Sequence, residues 1–211
     1  LAVPAAAQNA LICIDPGHGG SDPGAVGNGL EEADLNLAAG LAFRDWLDLD
    51  TADAGGGGSW DGIMTRDTNS SVSLSARCDY ANAAGADYFM SIHTNAGGGN
   101  GTETYAYASG TEADDLAHMV QDEVLDHLGT YDRGVKYNSF YVLVHTAMPA
   151  DLNEMAFIDV WAGNAELLSD PGNLDEVGLA HLNAIQRHLG LGAYTPQDVG
   201  PADPTGTVEI I

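Results

Sequence analysis

Apolar residues recur along this chain in two rhythms. Short runs that are almost wholly apolar stand at residues 10–15 (ALICID) and 88–93 (YFMSIH), bounded by Gly, Pro or Asp. Such runs read as strands buried on both faces. Residues 60–65 give a further strand, and residues 102–108 (TETYAYA) alternate as a strand does. Between the strands the spacing lengthens. Leu35, Ala38, Ala42 and Trp46, with Leu37 and Leu41 widening the stripe, predict a helix over 32–47. Leu116, Met119, Val120, Val124 and Leu128 line one face of a helix over 112–128. Helices are also predicted over 73–84, with Gly85 as its C-cap, and over 174–189. Residues 141–144 and 152–155 are short apolar pieces, and the four glycines within 50–59 predict a flexible loop. Strands that alternate with helices imply a single-domain α/β fold, a mostly parallel twisted sheet flanked by helices on both faces.

A chain of 211 residues suffices for one domain with a proper core and is short for two. The folded unit is expected over residues 10–190. Residues 1–9 read as a leader remnant or linker, and residues 191–211, rich in Pro, Gly and Asp, as a tail or linker. No apolar run reaches the roughly 18 residues that a membrane span needs.

Charge changes the picture. The chain has 31 Asp and Glu against 6 Lys and Arg, for a formal net charge of -25. An acidic surface of this kind repels nucleic acid and anionic lipid, so neither is an expected partner. The acids are dispersed between apolar positions rather than gathered in a tail. This favours a folded, halophilic protein whose self-repulsion is screened by salt. Cys13 lies in an apolar run and Cys78 in a predicted helix, and both are read as small buried hydrophobes. Met90, Met148 and Met155 are read as core filling.

The candidates for chemistry fall at predicted strand ends, where open α/β sheets form their sites. His18 follows the first strand through Asp15-Pro16-Gly17, His93 ends the third, and Glu154 lies near the end of a later one. Glu32 stands at the first turn of the next helix, within reach of the same rim. Two imidazoles and a carboxylate with one open position are a donor set for catalytic zinc. A further carboxylate could take a proton from the attacking water and return it to a leaving nitrogen. A lone His, however, is usually a surface or core residue. There is no H-E-x-x-H motif. The glycine-rich stretch at 17–29 lacks a Gly-Lys-Ser/Thr ending, and Asp15 and Asp22 would oppose a phosphate. His118, His127, His181 and His188 lie on predicted helices away from the strand ends and are read as surface residues.

A series of blocks in one order adds to this reading. DPGHGGSDPGAVG (15–27), GLEEADLNLA (29–38), MTRDT (64–68), SLSARCDYANAAGADYFMSIHTNA (73–96), GTETY (101–105), DRGVK (132–136) and FYVLVHTAMPADLNEMAFI (140–158) are its members. Together they resemble the zinc N-acetylmuramoyl-L-alanine amidases called amidase type 3, over roughly 11–189. The resemblance implies one zinc ion held by His18, Glu32 and His93, with Glu154 as the catalytic carboxylate. It places the ligand at Glu32 rather than Glu31, two residues before Asp34. It implies hydrolysis of the bond between N-acetylmuramic acid and L-alanine in peptidoglycan, by residues 10–190 as the catalytic domain. The expected setting is extracellular or the cell envelope, or that of a phage-encoded lysin, and a wall-binding module outside this sequence is an expected companion.

Around that site, Glu103 is either a support for it or a solvated strand residue, and Asn95 and Arg66 are read as loop braces. Two departures from the family pattern stand out: Asn153 replaces an aliphatic residue, and His145 replaces a more usual charged or polar one. The segment 107–116 is too short for the blocking helix of autoinhibited members, which predicts an open site. The rivals are an amidase or peptidase acting on another cell-wall polymer and a non-catalytic wall-binding module.

Overall fold

The computed structural model describes residues 9–53 and 55–195. In chain order the elements are β1 (Ala10–Pro16), β2 (Val26–Gly27), β3 (Leu30–Glu31), α1 (Glu32–Ala52), β4 (Trp60–Met64), α2 (Leu74–Ala84) and β5 (Tyr88–Asn95). Then follow β6 (Thr102–Ala106), α3 (Glu112–Leu128), β7 (Asp132–Tyr137), α4 (Tyr141–His145), β8 (Ala150–Phe157), α5 (Glu166–Leu168) and α6 (Pro171–His188). Six strands form one sheet in the order β4-β1-β5-β8-β6-β7, and β2 and β3 make a separate small hairpin. The strands β4, β1, β5 and β8 are parallel, whereas β6 runs antiparallel to β8 and β7 parallels β6. The mostly parallel sheet expected from the sequence is present. Among the described residues, no helix is long and apolar enough to cross a membrane.

Both sheet faces are covered, which is why ALICID and YFMSIH read as solid apolar runs. Side chains alternate between the faces. Ile12, Ile14, Met90, Ile92 and Met155 pack in the layer that holds Leu35, Phe43, Leu116, Val120, Val177 and Ile185 of α1, α3 and α6. Cys13, Phe89, Ala150 and Leu152 meet Cys78 and Ala81 of α2 and Val142 and Leu143 of α4. Continued toward the carboxyl ends of the strands, this second face carries Asp15, Ser91, His93 and Glu154, with His93 and Glu154 in register on neighbouring strands. The two cysteines are free and buried, as their apolar settings suggested.

Several segments differ from their sequence reading. Residues 132–137 form strand β7, and residues 141–145 are a short helix. Helix α1 continues to Ala52, because buried Asp50 is committed to the fold. Its carboxylate accepts from the Gly57 amide at 2.6 Å, the Trp60 indole at 2.5 Å and the Gln186 amide at 2.8 Å. The glycine-rich loop is therefore tethered where the sequence suggested free movement. His118 is exposed, but His181 is not a surface residue. Helix α6 packs against both α1 and α3, so His181 is fully buried beside Phe43. Burial pushes its pKa down to about 4, and its Nδ1 pairs with the Val177 carbonyl at 2.8 Å. Past Gly192, Tyr194 is seated against Trp46 and its amide donates to Gln186 at 2.7 Å.

Asn153, unusual beside the catalytic candidate, belongs to a buried polar chain. Its amide donates to Thr104 Oγ1 at 2.9 Å, and Thr104 donates to Gln121 at 2.8 Å. Gln121 donates in turn to the Thr102 carbonyl at 2.9 Å and to Asp132 at 2.8 Å. This chain ties β8 and β6 to α3 and β7. Two residues earlier, Asp151 is fully buried, and neither carboxylate oxygen has a hydrogen-bond partner among the described residues.

Burial pushes the Asp151 pKa well above its ordinary value. A folded pKa above the unfolded one gives stability that is complete below about pH 4 and is lost as pH rises toward the folded value. Asp151→Asn removes that proton linkage. The variant should gain stability over the parent as pH rises from 4 to 8, by up to about 1.4 kcal/mol per pH unit within the titrating range. Parallel stability curves from urea melts across that range would refute the assignment.

Candidate active site

The site forms where three connections converge at the carboxyl ends of β1, β5 and β8. After β1 the chain turns sharply, and His18 takes a left-handed backbone conformation with φ of 60°. For a residue other than glycine this costs on the order of 1–3 kcal/mol unless its surroundings hold it. Two buried arginines do so. Arg66 donates to the carbonyls of Pro16 at 2.8 Å, Gly17 at 2.8 Å and Ala33 at 2.7 Å. Arg77 pairs with the buried Asp15 carboxylate at 2.6 Å and donates to the carbonyls of Pro16 at 2.7 Å and His18 at 2.6 Å. Asp15 also accepts from Thr65 at 2.6 Å and Ser91 at 2.8 Å.

Helix α1 begins at Glu32, whose buried side chain turns back under the loop. Its Oε1 lies 3.2 Å from His18 Nε2 and 2.9 Å from His93 Nδ1, and it accepts from the Thr94 amide at 3.1 Å. Its Oε2 accepts from the Ala25 amide at 2.7 Å. Burial alone would raise its pKa, but the bonds from His18 and His93 outweigh that and hold it below the ordinary carboxylate range. The neighbouring Glu31 is exposed. His18 Nδ1 lies 2.9 Å from the Asp22 carboxylate, which can accept a proton from it, and Nε2 faces Glu32. Chiefly through the Glu32 bond, the His18 pKa rises to about 9. One donor atom from each of His18, Glu32 and His93 falls within 4.8 Å of the other two.

Two glycines of the 15–27 block leave room for this convergence. A Cβ at Gly17 would stand 2.2 Å from the His93 ring. One at Gly24, where φ is +66°, would stand 2.5 Å from Glu32 Oε2 and 2.7 Å from the His18 ring.

Glu154 lines the same cleft of roughly 590 Å³, with His18 and His93. Its Oε2 is buried and has no hydrogen-bond partner among the described residues. Burial, reinforced by the charges of Glu32 and Glu103, raises its pKa to about 7. Val72, Leu74, Phe140, Tyr141 and Val142 give the cleft an apolar lining, with Ser71, Ser73 and Arg77 among them. Only residues 107–111 join β6 to α3, so no blocking helix stands in that connection.

Next to Glu154 across the sheet is Glu103, which is buried rather than solvated. It accepts from Asn95 at 2.9 Å and Tyr105 at 2.7 Å, and pairs with both Arg133 and Lys136. Burial opposes its ionisation, but these donors prevail and bring its pKa down to about 2.

Sequence reasoning named His18, Glu32, His93, Glu154 and the Arg66 brace. It missed Arg77 and treated Asp22 only as an obstacle to phosphate. The scarcity of cations was the available signal: in so acidic a chain, two arginines at 66 and 77 are conspicuous.

Comparison with known proteins places the chain in a family. Residues 12–187 match the model of the N-acetylmuramoyl-L-alanine amidase family, and the chain belongs to that family. It is 40% identical over 181 residues to the N-acetylmuramoyl-L-alanine amidase CwlM of Bacillus licheniformis, covering 85% of this chain and 69% of that protein. An N-acetylmuramoyl-L-alanine amidase structure from Clostridium difficile 630 superposes with a TM-score of 0.79 at 27% identity, over 87% of this chain and 98% of that one. The catalytic domain of the amidase CwlV from Bacillus (Paenibacillus) polymyxa gives 0.76 at 29% identity, over 86% and 99%.

Removing one member of a buried ion pair leaves a charge without its partner. Arg77→Leu should therefore cost about 3–5 kcal/mol. Arg44→Leu, at a more exposed pair with Asp45, should cost less than about 1 kcal/mol. Urea denaturation measures both, and equal losses would contradict the bracing role of Arg77.

Proposed function

We propose that this chain is a zinc-dependent peptidoglycan hydrolase that cleaves the amide between N-acetylmuramic acid and L-alanine. The observation that carries the reading is the convergence of His18 Nε2, Glu32 Oε1 and His93 Nδ1, with Glu154 lining the same cleft and its Oε2 without a hydrogen-bond partner among the described residues. Two imidazoles and one carboxylate, with space left for water and substrate, suit a catalytic zinc ion. When bound there, zinc supplies Lewis acidity, acidifying the attacking water and polarising the scissile carbonyl.

The remaining work belongs to the chain's own groups. Asp22 fixes the His18 tautomer by holding the proton on Nδ1, as outer partners of metal-binding histidines do. Asp15, Arg66 and Arg77 keep the His18 backbone in place. Glu154 accepts a proton from the attacking water and returns it to the nitrogen of alanine, which is a very poor leaving group as an anion. With a pKa raised to about 7, Glu154 is suited to hold that proton between the two transfers near neutral pH. The carbonyl carbon gains a bond to oxygen and loses its bond to nitrogen, giving a lactyl carboxylate and a free alanine amine.

The site of action proposed is the wall, from outside the cell, in the envelope, or as a phage-encoded lysin. Residues 10–190 would serve as the catalytic domain; residues 1–8 and 196–211 lie outside the described residues. The setting proposed is rich in salt. All six cationic side chains are already bonded to carboxylates or to backbone carbonyls, so most of the acids have no lysine or arginine partner among the described residues.

Wall digested by the zinc-loaded protein should gain free alanine amino groups and no new reducing ends. New reducing ends without amines would mean a glycosidase. Glu154→Gln should retain zinc by metal analysis yet slow turnover by on the order of 10²–10⁴. Activity within tenfold of the parent would remove Glu154 from the chemistry. The Tm should rise as NaCl increases toward 1 M, where the screening length falls to about 3 Å. A flat response would reject the proposed adaptation to salt.

A further inference from the structure

A chain with 31 acidic residues and a net charge of -25 is poorly suited to attract a substrate whose peptide also carries carboxylates. Its six cations are therefore informative. Arg66 and Arg77 are buried in the brace beneath His18. Arg44 and Arg187 pair with carboxylates on helices α1 and α3. Among the described residues, that leaves Arg133 and Lys136 as partly exposed cations, both on the edge strand β7 and both against Glu103, the neighbour of Glu154 across the sheet. Two positive charges on one buried carboxylate leave a net positive charge at this point.

Arg133 is held as a recognition group is held. Its Nε donates to Glu103 Oε2, and its guanidinium lies 4.9 Å from the centre of the Phe157 ring, which fixes the plane. Neither Nη donates a hydrogen bond among the described residues, and the side chain is 30% exposed. An arginine oriented through its Nε with a free Nη edge presents the fork that reads a carboxylate with two parallel bonds.

The spacing suits a substrate seated at Glu154. Glu103 lies opposite Glu154 in register, and β7 is the next strand out. Two strand steps are roughly 9–10 Å. An extended peptide advances about 3.3–3.6 Å per residue. A carboxylate on the residue after alanine thus lies about 7 Å from the scissile nitrogen, and the arginine side chain closes the remainder. The one cation that lines the cleft among the described residues, Arg77, is committed to Asp15 and to the carbonyls of Pro16 and His18.

We infer that Arg133 is a specificity-determining residue that receives a free α-carboxylate on the second residue of the stem peptide, supported by Lys136 and oriented by Glu103. Bound this way, the substrate runs with its peptide toward β6 and β7 and its sugar toward the apolar wall of α2 and α4. This assignment rests on the amidase reading above.

Two substrates separate the possibilities: N-acetylmuramoyl-L-alanyl-D-glutamate blocked at its γ-carboxyl as a methylamide, and the same molecule with its α-carboxylate converted to a carboxamide. The zinc-loaded full chain should cleave the carboxylate form with at least tenfold higher kcat/KM, mostly through KM. Arg133→Gln should collapse that ratio toward one, and Arg133→Lys should restore part of it. A parent without preference, or an Arg133→Gln variant that loses rate equally on both substrates, would overturn the inference and leave the amidase reading intact. If the parent cleaves neither these substrates nor whole wall, the amidase reading fails and this proposal with it.

Discussion

The site depends on how one turn of backbone is held. Between Asp15 and Gly19 the chain must leave the end of β1, place His18 in a left-handed conformation and present three carbonyls toward the protein interior. Buried carbonyls need donors, and the guanidinium groups of Arg66 and Arg77 supply them. Asp15 then balances the charge of Arg77 from within the sheet. The strain at His18 and the burial of two cations are thereby borne by one compact network. Without it, His18 Nε2 would have no reason to face Glu32.

Around that turn the fold resolves a conflict between close packing and open chemistry. Gly17 and Gly24 give up side chains so that the His93 and His18 rings and Glu32 can approach. Glu154 occupies a half-buried strand position that continues a row of core residues, and its Oε2 is buried with no partner among the described residues. An isolated buried carboxylate is unfavourable in folding terms. The same burial raises its proton affinity above that of an ordinary carboxylate.

Charge is allotted sparingly. With six cations available, the chain commits two to the loop beneath His18 and two to Glu103 beside Glu154, and leaves the rest of the surface acidic. Polar groups inside the sheet are treated in two ways. The Asn153 amide donates into the chain through Thr104 and Gln121, whereas neither Asp151 oxygen has a partner among the described residues and the side chain favours its proton.

The sequence by itself determined the sheet type, the order of its main strands and helices, and the side chains at the rim of the site. Their reasons are local: apolar runs bounded by turn residues, helical spacing, and His18, His93 and Glu154 standing where strands end. It also separated Glu32 from Glu31 by motif position, and burial of the one and exposure of the other follow that choice. Tertiary structure alone decided the rest. Strand β7 is an edge strand with little apolar pattern, so only its pairing with β6 defines it and brings Arg133 to Glu103. His181 is buried because α6 is packed by both α1 and α3, and a helix seen one at a time does not reveal its second neighbour. The grip of Arg77 on Asp15, 62 residues away, is likewise a long-range contact that no local spacing encodes.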